Sequence, residues 1–325
     1  MSKSTEIAVA ITREEAVSQL LASGNEPTLA DCIKVFNWQE FPEKHFSTEQ
    51  KVTRIYFGGE FCDRLLPDKK IMQRVLNLIE QHQLSLSLLT PLLSDSALAR
   101  LKQVFAILPK GTEVVVNDWG TLNILRREYK HLTPIIGRQL CKMIKDPRLP
   151  SEQWTKLYPH GVQSGPFHQL LKRFDIERIE MDVPPFAKVV DFESEDKSVS
   201  AHFPYGFSVK GRMCKIGAME IETHRKFGPG HGCNKECLTY SAKVSRGCSS
   251  STQDEQAVNV TASQSSKQPL TQTPKAPDLR TFQQGNTMFY RHTEEMTETL
   301  AQAVAQNKVN RMIFEGDWHE DYRPH

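Results

Sequence analysis

A chain of 325 residues in which 41 basic and 39 acidic side chains nearly cancel, leaving +2, gives no electrostatic case for nucleic acid binding by net charge. With 38% hydrophobic and 25% charged residues it is long enough for one large domain or two small ones, and no run of about 18 apolar residues is present to cross a membrane. Seven unevenly spaced cysteines argue against a disulfide framework, and the first 24 residues lack a signal-peptide core, so a cytoplasmic protein is expected.

In chain order, residues 12–31 have the apolar spacing of one or two short amphipathic helices, with Val17, Leu20 and Leu21 on one side. Phe36, Trp38 and Phe41 follow, and residues 1–50 read as an N-terminal extension docked on the main body, with Cys32 a buried thiol. From Val52 strands and helices alternate. Strands are expected at Val52–Phe57, Leu84–Leu89, Glu113–Val116, Leu132–Ile136, Ile176–Met181 and near Val199–Phe203. Helices are expected at Asp68–Gln83, Ser94–Ile107 and around Leu122–Arg126. Beyond Ser249 the composition turns to Ser, Gln, Thr and Pro, which reads as a disordered low-complexity insertion over residues 249–285. After it, Met288–Tyr290 reads as a strand, Thr293–Gln306 as a helix and Asn310–Phe314 as the last strand.

Strands separated by helices imply parallel crossovers. The residues outside the two atypical segments come close to the roughly 250 typical of a (β/α)8 barrel. The expected fold is therefore an α/β, TIM-type barrel over residues 51–325, complete or lacking a unit, with the N-terminal extension and the insertion attached. In such a barrel functional residues gather at the C-terminal ends of the strands. Glu60, Cys62, Asn117, Asp118, Arg138, Glu180, Asp182, His202 and Tyr205 fall there.

The chemistry is concentrated in Pro204–Tyr240, where Cys214, Cys233 and Cys237 lie among Gly, Pro and basic residues instead of in an apolar run. Thiolates need positive charge or a metal to hold their charge, and Arg212, Lys215, Arg225, Lys226 and Lys235 supply the former. A structural zinc site usually brings two close ligand pairs, and His224 and His231 keep zinc open. An iron-sulfur cluster tolerates scattered ligands better, because each thiolate binds its own iron.

Five stretches carry a resemblance: IYFGGEFCDRLLPD around Cys62, EVVVNDWGTLNIL from Glu113, IIGRQLCKMIKDPR from Ile135, IERIEMD from Ile176, and AHFPYGFSVKGRMCKIG leading to CNKEC. In this order they resemble the collagenase-like peptidase family, in its branch of ubiquinone-biosynthesis proteins of the UbiU and UbiV type. The likeness covers about residues 52–240 and, more weakly, 288–314. It implies a 4Fe-4S cluster on Cys62, Cys214, Cys233 and Cys237, with Cys248 the substitute should the wide gap between Cys214 and Cys233 shift the set, and Cys141 packed in the barrel. It also implies a part in an oxygen-independent hydroxylation or related redox step, of a small molecule or of RNA bases, in a hetero-oligomer with a paralogous barrel protein.

The rival readings are a peptidase, a cluster-bearing partner subunit or oxygen sensor without its own reaction, and an RNA-base hydroxylation factor. No HExxH, GxSxG or supported Cys-His pair favours proteolysis. A patch of Arg126, Arg127, Lys130 and Arg138 is the feature that favours RNA, although such a run is usually a solvated helix face. Catalytic residues are not identifiable. Asn117, Asp118, Arg138 and Glu180 are the substrate-binding candidates, with capping and loop hydrogen bonds an equally good account of polar groups at strand ends. The terminal GDWHEDYRPH is expected to be an exposed tail.

Overall fold

The computed structural model describes residues 5–22, 24, 26–146, 152, 155, 160–211, 213–226, 232–244 and 279–319. Eight parallel strands close into a barrel: β1 (Glu6–Ile11), β2 (Arg54–Gly58), β3 (Ser85–Leu89), β4 (Glu113–Val116), β5 (Thr133–Ile136), β6 (Arg178–Met181), β7 (Ser198–Phe203) and β12 (Arg311–Glu315). β12 pairs with β7 on one side and β1 on the other, and β1 pairs with β2, which completes the ring. Flanking helices are α1 (Glu14–Leu21), α2 (Leu29–Phe36), α3 (Lys69–Gln81), α4 (Asp95–Phe105), α5 (Trp119–Glu128), α6 (Gly165–Arg173) and α7 (Glu294–Ala305). The fold is the α/β TIM-type barrel that the alternation implies.

Local sequence explains where the helices begin. Asp68, Ser94, Asp118 and Thr293 each accept a hydrogen bond from a backbone N–H in the first turn of α3, α4, α5 and α7, and Thr28 and Asp31 form a reciprocal capping box on α2. Each helix then buries one stripe against the sheet, as Met72, Val75 and Ile79 do on α3. Full burial of such a side chain stabilises the fold by about 1.5–3 kcal/mol.

The N-terminal segment is a barrel component and not an extension. In β1, Ala8 and Ala10 join Tyr56, Leu89, Val115, Ile135 and Ile313 in an interior layer, while Ile7, Val9 and Ile11 face the helices. α1 and α2 then form the first crossover. Ionic layers close the barrel at both ends. At the N-terminal end Arg311 bonds Glu6, Glu113 and the Tyr56 hydroxyl, and Arg54 pairs with Glu6 and Glu113.

The crossover from β7 to β12 contains a second sheet of antiparallel strands, β8 (Tyr205–Lys210), β9 (Ser241–Val244), β10 (Thr281–Gln284) and β11 (Thr287–Arg291), in the order β8-β11-β10-β9. Its apolar face joins Phe61 and Leu65, which follow β2, and Trp318, which follows β12, so it caps the C-terminal mouth of the barrel. Two boundaries shift as a result. The expected insertion at 249–285 ends in β10, and residues 245–278 lie outside the described residues. The expected exposed tail is buried as far as His319: Asp317 accepts hydrogen bonds from the Thr12 and Arg13 backbone N–H groups and the Arg13 side chain, and His319 donates to the Phe36 carbonyl.

Candidate metal centre and the barrel mouth

Four cysteines from three parts of the chain meet at the capped mouth. Cys62 immediately precedes a 3-10 turn at Asp63–Leu65, Cys214 sits in the turn after β8, and Cys233 and Cys237 flank the start of a 3-10 turn at Glu236–Leu238. All four line one cavity of about 510 Å³ between the barrel rim and the small sheet. Cys62, Cys214, Cys233 and Cys237 are free thiols, as are the buried Cys32 and Cys141 elsewhere. Cys248 and His231 lie outside the described residues.

Backbone N–H groups reach the sulfurs, but burial opposes their charge. The Gly217 N–H donates to Cys214 Sγ at 3.2 Å, and the Lys235 N–H donates to Cys233 Sγ at 3.3 Å. The Arg64 N–H favours the charged form of Cys62 in the same way. Burial nonetheless pushes Cys62, Cys214 and Cys237 above the ordinary thiol range, and the charge of the neighbouring thiols adds to it. Left to themselves these groups stay protonated, so they are poor nucleophiles, and a bound cation is what would make them thiolates together.

Backbone fits closely around the same space. At Gly285, with φ +58°, an added Cβ would lie 3.3 Å from Cys237 Cβ and 3.6 Å from its sulfur. Gln284 and Trp318 both donate to the Cys237 carbonyl, and Asn286 donates to the carbonyls of Phe61 and Gly211. Each rim segment is thereby tied to the cap. Among the described residues no three His, Cys, Asp or Glu side chains converge tightly enough for a single metal ion. His224 is exposed, lies beside Glu222 and is absent from the cavity lining. The four thiols line one cavity and are soft donors of the kind that iron-sulfur clusters and zinc both take.

Beneath this cavity the barrel mouth is filled by a buried ionic network. Arg138 uses its five N–H donors on Glu60, Asp182, Glu315 and the Tyr205 carbonyl, and its guanidinium lies over the Phe61 and Phe207 rings. Lys145 pairs with the other oxygen of Asp182 and sits 3.3 Å over Phe207. His202 bridges Glu180 and Glu315 at 3.2 and 3.4 Å. Burial and Arg138 oppose charge on that imidazole, but the two carboxylates outweigh them and raise its pKa to about 9.

The four substrate-binding candidates are placed by this geometry. Asn117 donates to the Thr90 carbonyl and accepts from the Gln139 N–H, and Asp118 caps α5 through Thr121. Arg138 has no donor left, and Glu180 is fully buried with one oxygen on His202 and the other without a partner among the described residues. Arg64, Lys210 and Trp318 are among the lining residues that the sequence did not mark. Lys210 is the most informative, since its ammonium is held near Cys62 by a 3.0 Å bond to Gln139 and burial lowers its pKa. Its place at the end of a strand entering the cysteine stretch was the available signal.

No family model, no curated protein and no solved structure matches the chain.

Proposed function

We propose that the protein holds a 4Fe-4S cluster on Cys62, Cys214, Cys233 and Cys237, and acts in or assists an oxygen-independent hydroxylation or related redox step, with a paralogous barrel protein as partner. The observation that carries this reading is the convergence of four free thiols from three chain segments on one cavity at the C-terminal mouth of the barrel. When bound, such a cluster supplies one-electron transfer. The chain's own residues set its environment. Backbone N–H groups of Gly217 and Lys235 donate to the sulfurs, the Lys210 ammonium lends positive charge, and Phe61 and Trp318 keep water from one wall.

A second reading, a cluster-bearing subunit or oxygen sensor without its own reaction, is favoured by the filled mouth, where Arg138 is saturated and the small sheet closes the barrel axis. A cysteine peptidase is disfavoured at Cys62, Cys214 and Cys237, where burial shifts the thiols away from the reactive form.

The test is anaerobic purification, an absorption spectrum, and iron and acid-labile sulfide analysis on the wild type and on Cys→Ala variants. About four irons and four sulfides per chain are expected, lost on changing Cys62, Cys214, Cys233 or Cys237 and kept on changing Cys141 or Cys248. Zinc, or iron retained in Cys62→Ala, would remove the assignment.

A further inference from the structure

We propose that the part of the rim cavity lined by Arg64, Lys210, Leu92 and Leu93 binds a small carboxylate carried on an apolar, ring-sized body. That this ligand lies beside a cluster rests on the reading above. The binding itself does not.

Size is the first reason. The cavity is about 510 Å³ and extends past the four cysteines to Leu65, Leu92, Leu93, Ser94 and Ser96. The core of an iron-sulfur cluster spans only a few ångströms, whereas pockets of roughly 300–1,000 Å³ hold organic ligands.

Charge is the second. Lys210 is half-buried, and its hydrogen bond among the described residues is to the neutral Gln139 Oε1. A partly desolvated ammonium without a carboxylate partner is costly, and an anion entering the cavity offsets that cost. Arg64 lines the same cavity, its side chain making no hydrogen bond or ion pair among the described residues, and its guanidinium fork matches a carboxylate. Asp63, the acid on this lining, is already engaged as acceptor from Ser94 Oγ at 2.6 Å.

The apolar wall is the third. Leu92 is 47% exposed and lines the cavity together with Leu65, Leu93 and Trp318. Exposed leucine beside two cations that lack carboxylate partners among the described residues suits a ligand with one anionic end and one apolar face better than a bare inorganic anion.

The experiment is calorimetric titration of the anaerobically purified full-length chain with 2-naphthoate, and with 2-naphthamide as the neutral isostere. The acid should bind about tenfold tighter than the amide or better, and Lys210→Met or Arg64→Met should each remove most of that preference. Lys210→Arg should restore it, and Leu92→Asp should weaken both ligands. Thermal melts of the variants establish that they fold. Equal affinity for acid and amide, or an acid preference surviving in Lys210→Met, would overturn the proposal. Iron and sulfide analysis of the same samples separates the two readings. A chain without iron that binds naphthoate through Lys210 keeps the subsite and loses the cluster, while an iron-loaded chain indifferent to naphthoate does the reverse.

Discussion

Two buried histidines on neighbouring elements are shifted in opposite directions, and each gives the fold a different pH dependence. His292 has both ring nitrogens without a partner among the described residues, packed against Phe203 and Tyr290. Burial lowers its pKa from 6.5 to about 3. Between those values the unfolded chain takes up a proton that the folded chain refuses, so stability falls as pH drops through that window. His292→Phe removes the unpaired polar atoms and that proton, and is expected to stabilise the protein by about 1 kcal/mol at pH 7 and by more at pH 5. Urea midpoints at the two pH values check it; a destabilised variant at pH 5 would show that the ring has an acceptor or donor partner. His202 is the converse case, raised to about 9. Its contribution is fully present below its ordinary 6.5 and is lost as pH rises through about 9, so His202→Gln should flatten the alkaline side of the stability profile. Arg138 anchors the same network. Arg138→Met leaves Glu60 buried without a cation and Asp182 and Glu315 with only Lys145 and His202, a loss of about 3–5 kcal/mol in urea unfolding. Lysine cannot supply the five-donor fork, so Arg138→Lys should recover little of it.

At the scale of elements, β9 and β10 are antiparallel neighbours, with Val244 opposite Thr281. Their ends are thus close enough for a tight turn, whatever lies between them in the chain. Replacing residues 246–278 by a short Gly-Asn turn should leave the melting temperature nearly unchanged and the iron content intact. The same deletion removes Cys248, so lost iron would move the fourth ligand from the proposed set to that residue. Legibility in the sequence follows the same elements. Strands β2 to β7 and β12 were readable because each is an apolar run set off by turn or capping residues, as Glu113–Val116 is before Asp118. β1 was missed because EIAVAI is a short, doubly buried run without alternation, adjoining amphipathic helices that draw it into an apparent extension. Of the small sheet only β11 was legible, as the strand expected at Met288–Tyr290; β8 and β10 were missed because YGFSVK and TFQQ are short and mixed in polarity, and they are stabilised by Phe61 and Trp318 from distant parts of the chain. The cysteines stood out by their basic, glycine-rich context, yet nothing local in the sequence tells that Lys210 turns toward them or that Arg138 is saturated.

For the whole molecule, the decisive fact is that the thiols belong to the cap and not to the barrel core. The large apolar core that joins helices to strands contains neither Cys62, Cys214, Cys233 nor Cys237, whereas all but Cys233 lie in or against the separate cluster of Phe61, Tyr205, Phe207, Phe282, Phe289 and Trp318. On the proposed reading, metal binding ties together chain positions from 62 to 237, and its free energy stabilises the state in which the cap is docked. Removing the metal should therefore loosen the cap while the barrel stays folded, since the barrel has its own core and its own ionic layers at both ends. Hydrogen exchange on loaded and chelator-treated chains checks this. Faster exchange is expected in residues 205–226, 232–244 and 281–291, with β2 to β5 unchanged. Uniform loss of protection through β2 to β5 would mean that the metal holds up the barrel itself. Unchanged protection in the cap would mean that the aromatic cluster alone holds the lid, leaving the thiols a purely functional role.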